Sequence, residues 1–314
     1  MIPRVTTEDE LTALKSDLER SAEVLRPAAE VFGLDPAALT VIDDGSALVA
    51  RIGSTVLKGF APFDQSYAET ERRVLEFLTG RLSVPTPAFR GATELEGWHV
   101  IAMGVIDGVP LATVWDDLDR STQLRICEDL GRVIGDLHAL DFAPVADLTP
   151  IWEPWIAEQR AGAVARQKSL GLDPAWLDQV EPFLARTDTL GAEQTAERAL
   201  LHTEVMREHA FVSESSGRWE LSGLLDFEPA MVGTPTYEFA SVGLFVSAGD
   251  DALFGAFCSG YGFGDRWDLP DAFPLRCLRA KLLHRYSHLP WVLGRLEPKA
   301  TDLEGLAEEW WGGA

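Results

Sequence analysis

Asp226 is an acidic residue that directly follows an apolar run. It comes after Leu224-Leu225 and before Phe227, as an acid does at the end of a buried strand. Burying a carboxylate is costly unless it is paired with a cation or bound to a metal ion. The pattern therefore indicates an ion pair or a metal ligand at Asp226, with a capping role at the strand end as the alternative.

Lys58 lies on a predicted strand, and Glu71 follows in the next predicted helix. A helix glutamate can hold a strand lysine towards the α- and β-phosphates of a nucleotide, which is the arrangement that kinases use. Phosphoryl transfer also needs acids that hold Mg²⁺ and a group that orients the attacking hydroxyl. Glu69 is the alternative partner, and a solvated edge charge is the alternative for Lys58 itself.

Two segments carry the most specific motifs. Leu200–Val212 contains His202-Thr203-Glu204 and, after four more residues, His209, and Gly223–Glu238 contains Asp226-Phe227. They resemble the aminoglycoside phosphotransferase family, including hygromycin kinases and choline-kinase-like relatives. That family has His-Gly-Asp, four residues, Asn, and then a strand hairpin that ends in Ile-Asp-Phe/Trp. The resemblance covers residues 40–245 and implies a kinase with a bilobal, protein-kinase-like fold.

The resemblance implies a role for each matching residue. Glu204 stands where the family has its catalytic aspartate, and Asp226 stands where the family binds Mg²⁺ on the triphosphate. His209 replaces the metal-binding asparagine, and Thr203 replaces a glycine. Because Mg²⁺ prefers oxygen ligands, His209 could instead bind Mn²⁺, contact a phosphate or pack. We therefore expect Glu204 and Asp226 to be catalytic and Asp226 and His209 to be metal ligands, with Mg²⁺ or Mn²⁺ as the metal.

The resemblance also implies where the nucleotide binds. Met103, Gly104 and Val105 resemble the hinge of the family, where main-chain groups meet the purine of ATP or GTP. Together with Lys58 and Glu71, they are the expected nucleotide-binding residues.

The acceptor is expected to contact the helical part of the chain. Trp152 and Trp155 would stack on sugar rings, and Glu228 would contact a cationic group or support the metal site. The alternative for each tryptophan is a place in the core.

The elements that must position these residues indicate an α+β fold. Residues 1–103 are expected to form a small nucleotide-binding lobe with an antiparallel sheet, followed by a hinge at 103–108 and a larger, mostly helical catalytic lobe over 104–314. The elements expected in the first lobe are helices over 7–33 and 67–82 and strands over 40–42, 47–52, 55–58 and 98–103. Those expected in the second are helices over 121–140, within 150–190 and over 236–311, and strands over 210–212 and 219–225.

Composition limits the classes of partner. Fifty acidic residues oppose 27 basic ones, which gives a net charge of −23. Such a charge repels nucleic acids and anionic lipids, and it favours a cationic small molecule or simply solubility. Three widely spaced cysteines and the absence of a signal-like or membrane-spanning run predict a cytoplasmic protein.

The expected function is transfer of the γ-phosphate of ATP or GTP to a hydroxyl of an antibiotic, such as an aminoglycoside of the hygromycin type. A kinase for a metabolite such as choline, homoserine or a sugar is the first alternative. A nucleotide-binding pseudokinase is the second, because Glu204 and His209 depart from the family's residues.

Overall fold

The computed structural model describes residues 2–43, 45–188, 198–263 and 272–312. The chain divides into two compact units. Unit 1 comprises Met1–Asp107 and Gly223–Pro229, and unit 2 comprises Gly108–Ser222 and Ala230–Ala314. The assignment of nucleotide binding to residues 1–103 and of catalysis to residues 104–314, with a hinge at 103–108, stays a prediction.

Unit 1 is built on an antiparallel sheet. Its helices are α1 (Glu8–Lys15), α2 (Leu18–Val31) and α3 (Gln65–Leu78), and its strands are β1 (Thr40–Ile42), β2 (Leu48–Ile52), β3 (Thr55–Phe60), β4 (Phe89–Leu95) and β5 (Trp98–Gly104). The strands pair in the order β1-β2-β3-β5-β4. Ile52 pairs with Thr55 across the turn Gly53-Ser54, where Gly53 has a φ of 57°. The predicted strands over 40–42, 47–52, 55–58 and 98–103 therefore all belong to one five-stranded sheet.

The two faces of this sheet meet different helices. Leu57 of β3 belongs to a buried apolar cluster with Leu14 of α1 and Leu25 of α2. Because side chains alternate along a strand, Lys58 lies on the opposite face, where it contacts Glu71 of α3. This alternation turns one charged residue of β3 away from the apolar core and towards α3.

Unit 2 is mostly helical. Its helices are α4 (Leu111–Val114), α5 (Arg120–His138), α6 (Trp152–Ser169), α7 (Pro174–Thr187), α8 (Thr236–Ser241), α9 (Asp251–Cys258), α10 (Phe273–Leu283), α11 (Leu289–Leu296) and α12 (Leu303–Trp311). Its strands are β6 (Val109–Pro110), β7 (Ala199–Leu201), β8 (Ala210–Ser215), β9 (Arg218–Leu224, whose last two residues belong to unit 1) and β10 (Met231–Gly233). β7 pairs with β10, and β6, β8 and β9 form another small sheet.

Helix α5 is packed closely in unit 2. Asp119 caps its first turn by accepting a hydrogen bond of 2.9 Å from the main-chain N–H of Thr122. Leu130 and Ile134 are fully buried at the spacing of one helical face. A Cβ atom on Gly131 would lie 2.0 Å from the carbonyl oxygen of Phe257 in α9. Glycine is therefore required for this close approach of the two helices.

The predicted α+β, bilobal kinase-like fold class is confirmed, and the differences concern where elements end. The predicted helical stretch within 150–190 is divided into α6 and α7 around Gly171, which has a φ of 80°. Residues 189–190 of that stretch and 264–271 of the predicted stretch 236–311 lie outside the described residues. In the part of the chain that the structure describes, no helix is both long enough and apolar enough to cross a membrane.

Candidate active site

A cluster of charged side chains surrounds Lys58 in unit 1. Its Nζ lies 2.6 Å from Glu71 Oε2, 2.5 Å from Asp226 Oδ1 and 2.7 Å from Glu228 Oε2. The ammonium group donates hydrogen bonds to Glu71 and Asp226, whereas its contact with Glu228 Oε2 is an ion pair without hydrogen-bond geometry. The other carboxylate oxygen of Glu228 accepts a hydrogen bond of 2.7 Å from Ser46 Oγ. The predicted lysine–glutamate pair is therefore one part of a larger cluster.

Local structure explains how each member reaches this cluster. Strand β3 presents Lys58 and helix α3 presents Glu71, which is 1 % exposed. Glu69 pairs with Arg72 at the surface instead, so Glu71 is the partner of Lys58. Asp226 follows the end of β9 with a φ of 72°, a left-handed conformation that aspartate tolerates better than most residues.

The electrostatics of the cluster leave it short of positive charge. Burial would lower the pKa of Lys58, but the charges of Asp226, Glu71 and Glu228 outweigh it and raise that pKa well above its usual value. Burial raises the pKa of Glu71 to about 7, with Lys58 opposing the rise and the other two acids adding to it. Because one ammonium group faces three carboxylates, a further cation here would be stabilised.

The oxygen atoms of this cluster suit a divalent cation. Glu71, Asp226 and Glu228 each offer a carboxylate oxygen, and these atoms lie within 4.8 Å of one another. Carboxylate oxygens are ligands that Mg²⁺ prefers, and they also suit Mn²⁺. The residues therefore fit the metal that the family resemblance implied, and the predicted role of Asp226 as its ligand stays a prediction.

Glu204 lies in a loop of unit 2, and two histidines form hydrogen bonds with its main chain. The N–H of Glu204 donates to Nδ1 of His202 over 3.3 Å, and the carbonyl oxygen of Glu204 lies 2.8 Å from Nδ1 of His209. The main-chain N–H of His202 in turn donates to the buried carboxylate of Glu238 over 2.7 Å. The main chain of Glu204 is therefore fixed at both its N–H and its carbonyl group.

The contact of His209 with this loop also fixes its ring. Since a carbonyl oxygen only accepts hydrogen bonds, Nδ1 of His209 carries the proton and a neutral ring has its lone pair on Nε2. Metal-ligating histidines commonly donate one ring N–H to a main-chain carbonyl in this way. The ring has a suitable tautomer for a metal ligand, and the predicted metal contact of His209 stays a prediction.

The predicted hinge residues lie at the end of β5. Met103 is 5 % exposed and belongs to the interior of unit 1. The N–H of Gly104 donates to the carbonyl of Ala88 over 2.8 Å, and the N–H of Val105 donates to the carbonyl of Ser54 over 3.2 Å. A purine bound at Gly104 and Val105 would therefore meet carbonyl oxygens, because both N–H groups already have acceptors.

The two predicted substrate tryptophans lie in an aromatic cluster of unit 2. Trp152 is 4 % exposed and packs with Met231 and Tyr237 in an apolar cluster, against which the half-buried Trp155 also packs. This position gives Trp152 a packing role, because so little of its ring is exposed for stacking on a sugar. Glu228, the third residue expected on the acceptor side, lies in the Lys58 cluster of unit 1. The acceptor contacts of these residues stay predictions.

Sequence reasoning missed several residues that support these sites. Glu238 is fully buried and contacts Nε2 of His138 at 3.4 Å as well as the main chain of His202. An acid between Tyr237 and Phe239 in an apolar stretch was the available signal. Ser46 carried no comparable signal, because its partner Glu228 is 182 positions away in the chain.

Comparison with known proteins agrees with the fold. Residues 38–273 match the model of the phosphotransferase enzyme family. The chain is similar to aminoglycoside 2′-phosphotransferase IIIa in complex with GDP, with a TM-score of 0.66, 14 % identity and coverage of 96 % of this chain and 99 % of that one. For the macrolide 2′-phosphotransferase MphH from Brachybacterium faecium, the TM-score is 0.60, the identity 22 % and the coverage 94 % and 98 %. For aminoglycoside phosphotransferase APH(3'')-Id from Streptomyces rimosus in complex with ADP and streptomycin, the values are 0.62, 18 %, 85 % and 99 %.

The fold is that of two-lobed, kinase-like phosphotransferases. Because the family model matches more than half of the 314 residues, the chain belongs to the phosphotransferase enzyme family. The predicted family is thereby confirmed, and so is the prediction that the chain is a kinase.

Proposed function

We propose that this phosphotransferase moves the γ-phosphate of ATP or GTP to a hydroxyl group of an antibiotic. The observation that carries the proposal is the buried cluster in which Lys58 contacts Glu71, Asp226 and Glu228. A fixed ammonium group and adjacent carboxylates are the parts that phosphoryl transfer requires for binding a metal–triphosphate complex. Solved relatives that hold GDP or ADP give further support.

In this proposal the residues of unit 1 bind the nucleotide. Lys58 neutralises phosphate charge and Glu71 keeps its ammonium group in place. Asp226 and Glu228 would hold Mg²⁺ or Mn²⁺, which when bound neutralises further charge on the triphosphate. Because three carboxylates crowd one lysine, nucleotide phosphates would replace Asp226 or Glu228 on Lys58 as the complex forms.

The main chain at Gly104 and Val105 would receive the base. A purine there must donate to the carbonyl groups, because the N–H groups are already bonded within unit 1. Adenine offers its exocyclic amine as a donor, and guanine offers its ring N–H and amine. Either base therefore suits the hinge at 103–108, and the assay includes both ATP and GTP.

Residues of unit 2 would act on the acceptor. Glu204 is assigned to orient the attacking hydroxyl and accept its proton, a task for which a carboxylate suffices when phosphoryl transfer is loose. His209 would be a further metal ligand through Nε2. The family's aspartate is one methylene shorter than Glu204, so the carboxylate reaches further from the main chain here.

The acceptor we favour is an aminoglycoside or a macrolide. The net charge of −23 attracts cationic antibiotics. However, Lys281, which interacts electrostatically with Glu204, is buried, and Arg166 lies in the same region. Because these positive charges lie near Glu204, the acceptor need not be a polycation. The panel of test compounds should therefore include macrolides as well as aminoglycosides.

The reaction is placed in the cytoplasm, with no nucleic acid or membrane as partner. Cys127, Cys258 and Cys277 are buried free thiols, as is common in a reducing compartment.

Two assays test the proposal. A sensitive bacterium that expresses this gene is grown on a panel of aminoglycosides, including hygromycin-type compounds, and macrolides. Purified protein is then incubated with the same compounds and with choline, homoserine and sugars, using ATP or GTP and Mg²⁺ or Mn²⁺. We expect mass spectrometry to show one added phosphoryl group on at least one antibiotic, together with resistance to it.

Two variants assign this activity to the site. Asp226→Ala should lower transfer about 100-fold or more, whereas Asp129→Asn, a change in α5 of unit 2 away from the Lys58 cluster, should leave it unchanged. Phosphorylation of a metabolite alone would reassign the enzyme to metabolism. Saturable nucleotide binding without transfer to any compound would instead show a pseudokinase.

A further inference from the structure

Thr203 has an unusual backbone for its residue type. It is fully buried and has a φ of 74°, in the left-handed region that β-branched residues avoid. It directly precedes Glu204, so its conformation sets the direction of the main chain at Glu204. Such strain persists only where the surrounding structure holds the residue in place.

His284, at the C-terminal end of α10, contacts this residue. Its Nε2 lies 3.1 Å from the carbonyl oxygen of Thr203, although 81 positions separate the two in the chain. Its Nδ1 accepts a hydrogen bond of 3.2 Å from the main-chain N–H of Tyr286. Because Nδ1 accepts, the ring proton is on Nε2, and His284 donates that proton to Thr203.

The surroundings of His284 hold its ring in this position. It is 4 % exposed and stacks on Tyr237, with ring centroids 4.7 Å apart and an angle of 15° between the planes. Tyr237 is fixed in turn, because its hydroxyl accepts a hydrogen bond of 3.0 Å from the main-chain N–H of Arg285. The ring can therefore neither rotate nor move away without breaking buried contacts.

Burial, together with the charged groups around it, favours the neutral form of His284. Burial lowers the pKa of His284 well below its usual value, and the positive charges of Lys281, Arg285 and Arg166 lower it further, while the contact with Thr203 opposes them. Protonation would also place a hydrogen on Nδ1, against the N–H of Tyr286. The neutral tautomer with its proton on Nε2 is thus favoured more than in an ordinary histidine.

We propose that His284 is a positioning residue for phosphoryl transfer, whose hydrogen bond holds Thr203 in its left-handed conformation and so directs Glu204. The inference rests on the proposed role of Glu204 in catalysis. It adds to the active site the residue that follows helix α10, which acts only through the loop and touches no reacting atom. It also explains how a threonine occupies a position where the family resemblance implies a glycine.

The first test needs no substrate. Long-range ¹⁵N–¹H NMR of the parent protein, with His284→Gln to assign the signal, reports which ring nitrogen carries the proton. We expect the ring of His284 to be protonated on Nε2 and predominantly neutral at pH 6.5, where an ordinary histidine is about half protonated. A proton on Nδ1 of the neutral ring, or an imidazolium fraction of about half or more at pH 6.5, would overturn the proposal whether or not the proposed function is correct.

The second test uses turnover with the acceptor found in the panel. His284→Leu removes the donor and should lower kcat about tenfold or more, with the nucleotide Kd changed less than about twofold. His284→Gln keeps an N–H donor at similar reach and should retain most of the activity. His288→Leu, which removes an imidazole whose Nδ1 accepts a hydrogen bond from the main-chain N–H of Trp291, is the matched control and should keep the parental kcat.

A double variant separates positioning from stability. In Thr203→Gly/His284→Leu, glycine adopts the left-handed conformation without help, so kcat should recover most of what His284→Leu loses. Thermal unfolding of each variant shows whether it is folded. A folded His284→Leu variant with parental kcat, or a folded double variant without recovery, would refute the proposed role.

Discussion

Burial and the neighbouring carboxylates shift the pKa of Lys58 in opposite directions, and the carboxylates together have the larger effect. Its ammonium group contacts Glu71, Asp226 and Glu228 within 2.7 Å. In the absence of a nucleotide, the cluster holds more negative charge than the lysine can balance. In the proposed function a metal–nucleotide complex would bind here: its metal ion would supply positive charge, and its phosphates would displace carboxylates from Lys58.

Glu71 gives the first prediction at this scale. Its pKa is raised to about 7 in the folded protein from 4.5, so the folded chain holds the proton more tightly than the unfolded chain does. The resulting stabilisation is complete below pH 4.5 and is lost as the pH rises through 7. We expect Glu71→Gln to flatten this decline in the free energy of unfolding, measured by denaturant titration. It should also lower turnover about tenfold or more, because Lys58 loses a charged partner.

The control for this change is Glu94→Gln, which alters an exposed glutamate of β4. It should leave both the pH dependence and turnover as in the parent. If the free energy of unfolding of Glu71→Gln fell between pH 4.5 and 7 as steeply as that of the parent, the raised pKa of Glu71 would be contradicted.

Lys281 gives a second prediction. Burial lowers its pKa to about 8 from 10.5, and Glu204 partly opposes the change. Since the unfolded chain binds the proton more tightly, this group destabilises the fold fully below pH 8, and the cost disappears as the pH rises to 10.5. Lys281→Met should therefore stabilise the protein more at pH 7 than at pH 10.5, by up to roughly 3 kcal/mol. Chemical denaturation at pH 7 and pH 10.5 measures this difference, with the exposed Lys168→Met variant as control. An equal stabilisation by Lys281→Met at the two pH values would contradict the lowered pKa of Lys281.

At the scale of elements, helix α5 depends on a small residue at one point. Gly131→Ala would place a methyl group against the carbonyl oxygen of Phe257, which belongs to the main chain of α9 and cannot rotate away. We expect a loss of about 1–3 kcal/mol in the free energy of unfolding. Gly162→Ala in α6 meets no atom within 4 Å and should instead add about 0.5–1 kcal/mol. Parental stability of Gly131→Ala would show that the two helices can separate.

Local patterns in the sequence predicted the elements better than their contacts. Alternation placed Lys58 on one face of β3, and helical spacing placed Glu71 on α3, so their pairing could be anticipated. The bond from Ser46 to Glu228 spans 182 positions and that from His284 to Thr203 spans 81. Such contacts depend on how distant elements pack, which periodicity does not encode. The position of Trp152 in the core also depends on packing, because an aromatic residue suits a core and a sugar-binding surface equally well.

At the scale of the whole molecule, the net charge of −23 should affect encounter with the acceptor. For a cationic antibiotic, we expect kcat/KM to fall as ionic strength rises from about 10 mM to about 200 mM, because salt screens long-range attraction. The kcat value should change little, since it does not depend on encounter. A neutral acceptor provides the control. The same salt dependence for both would show that the effect is not due to attraction of the substrate.

Calorimetric titration with ATP and GTP, in the presence and absence of Mg²⁺, tests the nucleotide site most directly. We expect the parent protein to bind at least one nucleotide tightly only with the metal. Asp226→Asn should lose this metal-dependent binding, while Glu204→Gln should keep it and lose turnover. If Asp226→Asn bound the metal–nucleotide complex as tightly as the parent does, the Lys58 cluster would not be the site of phosphoryl transfer.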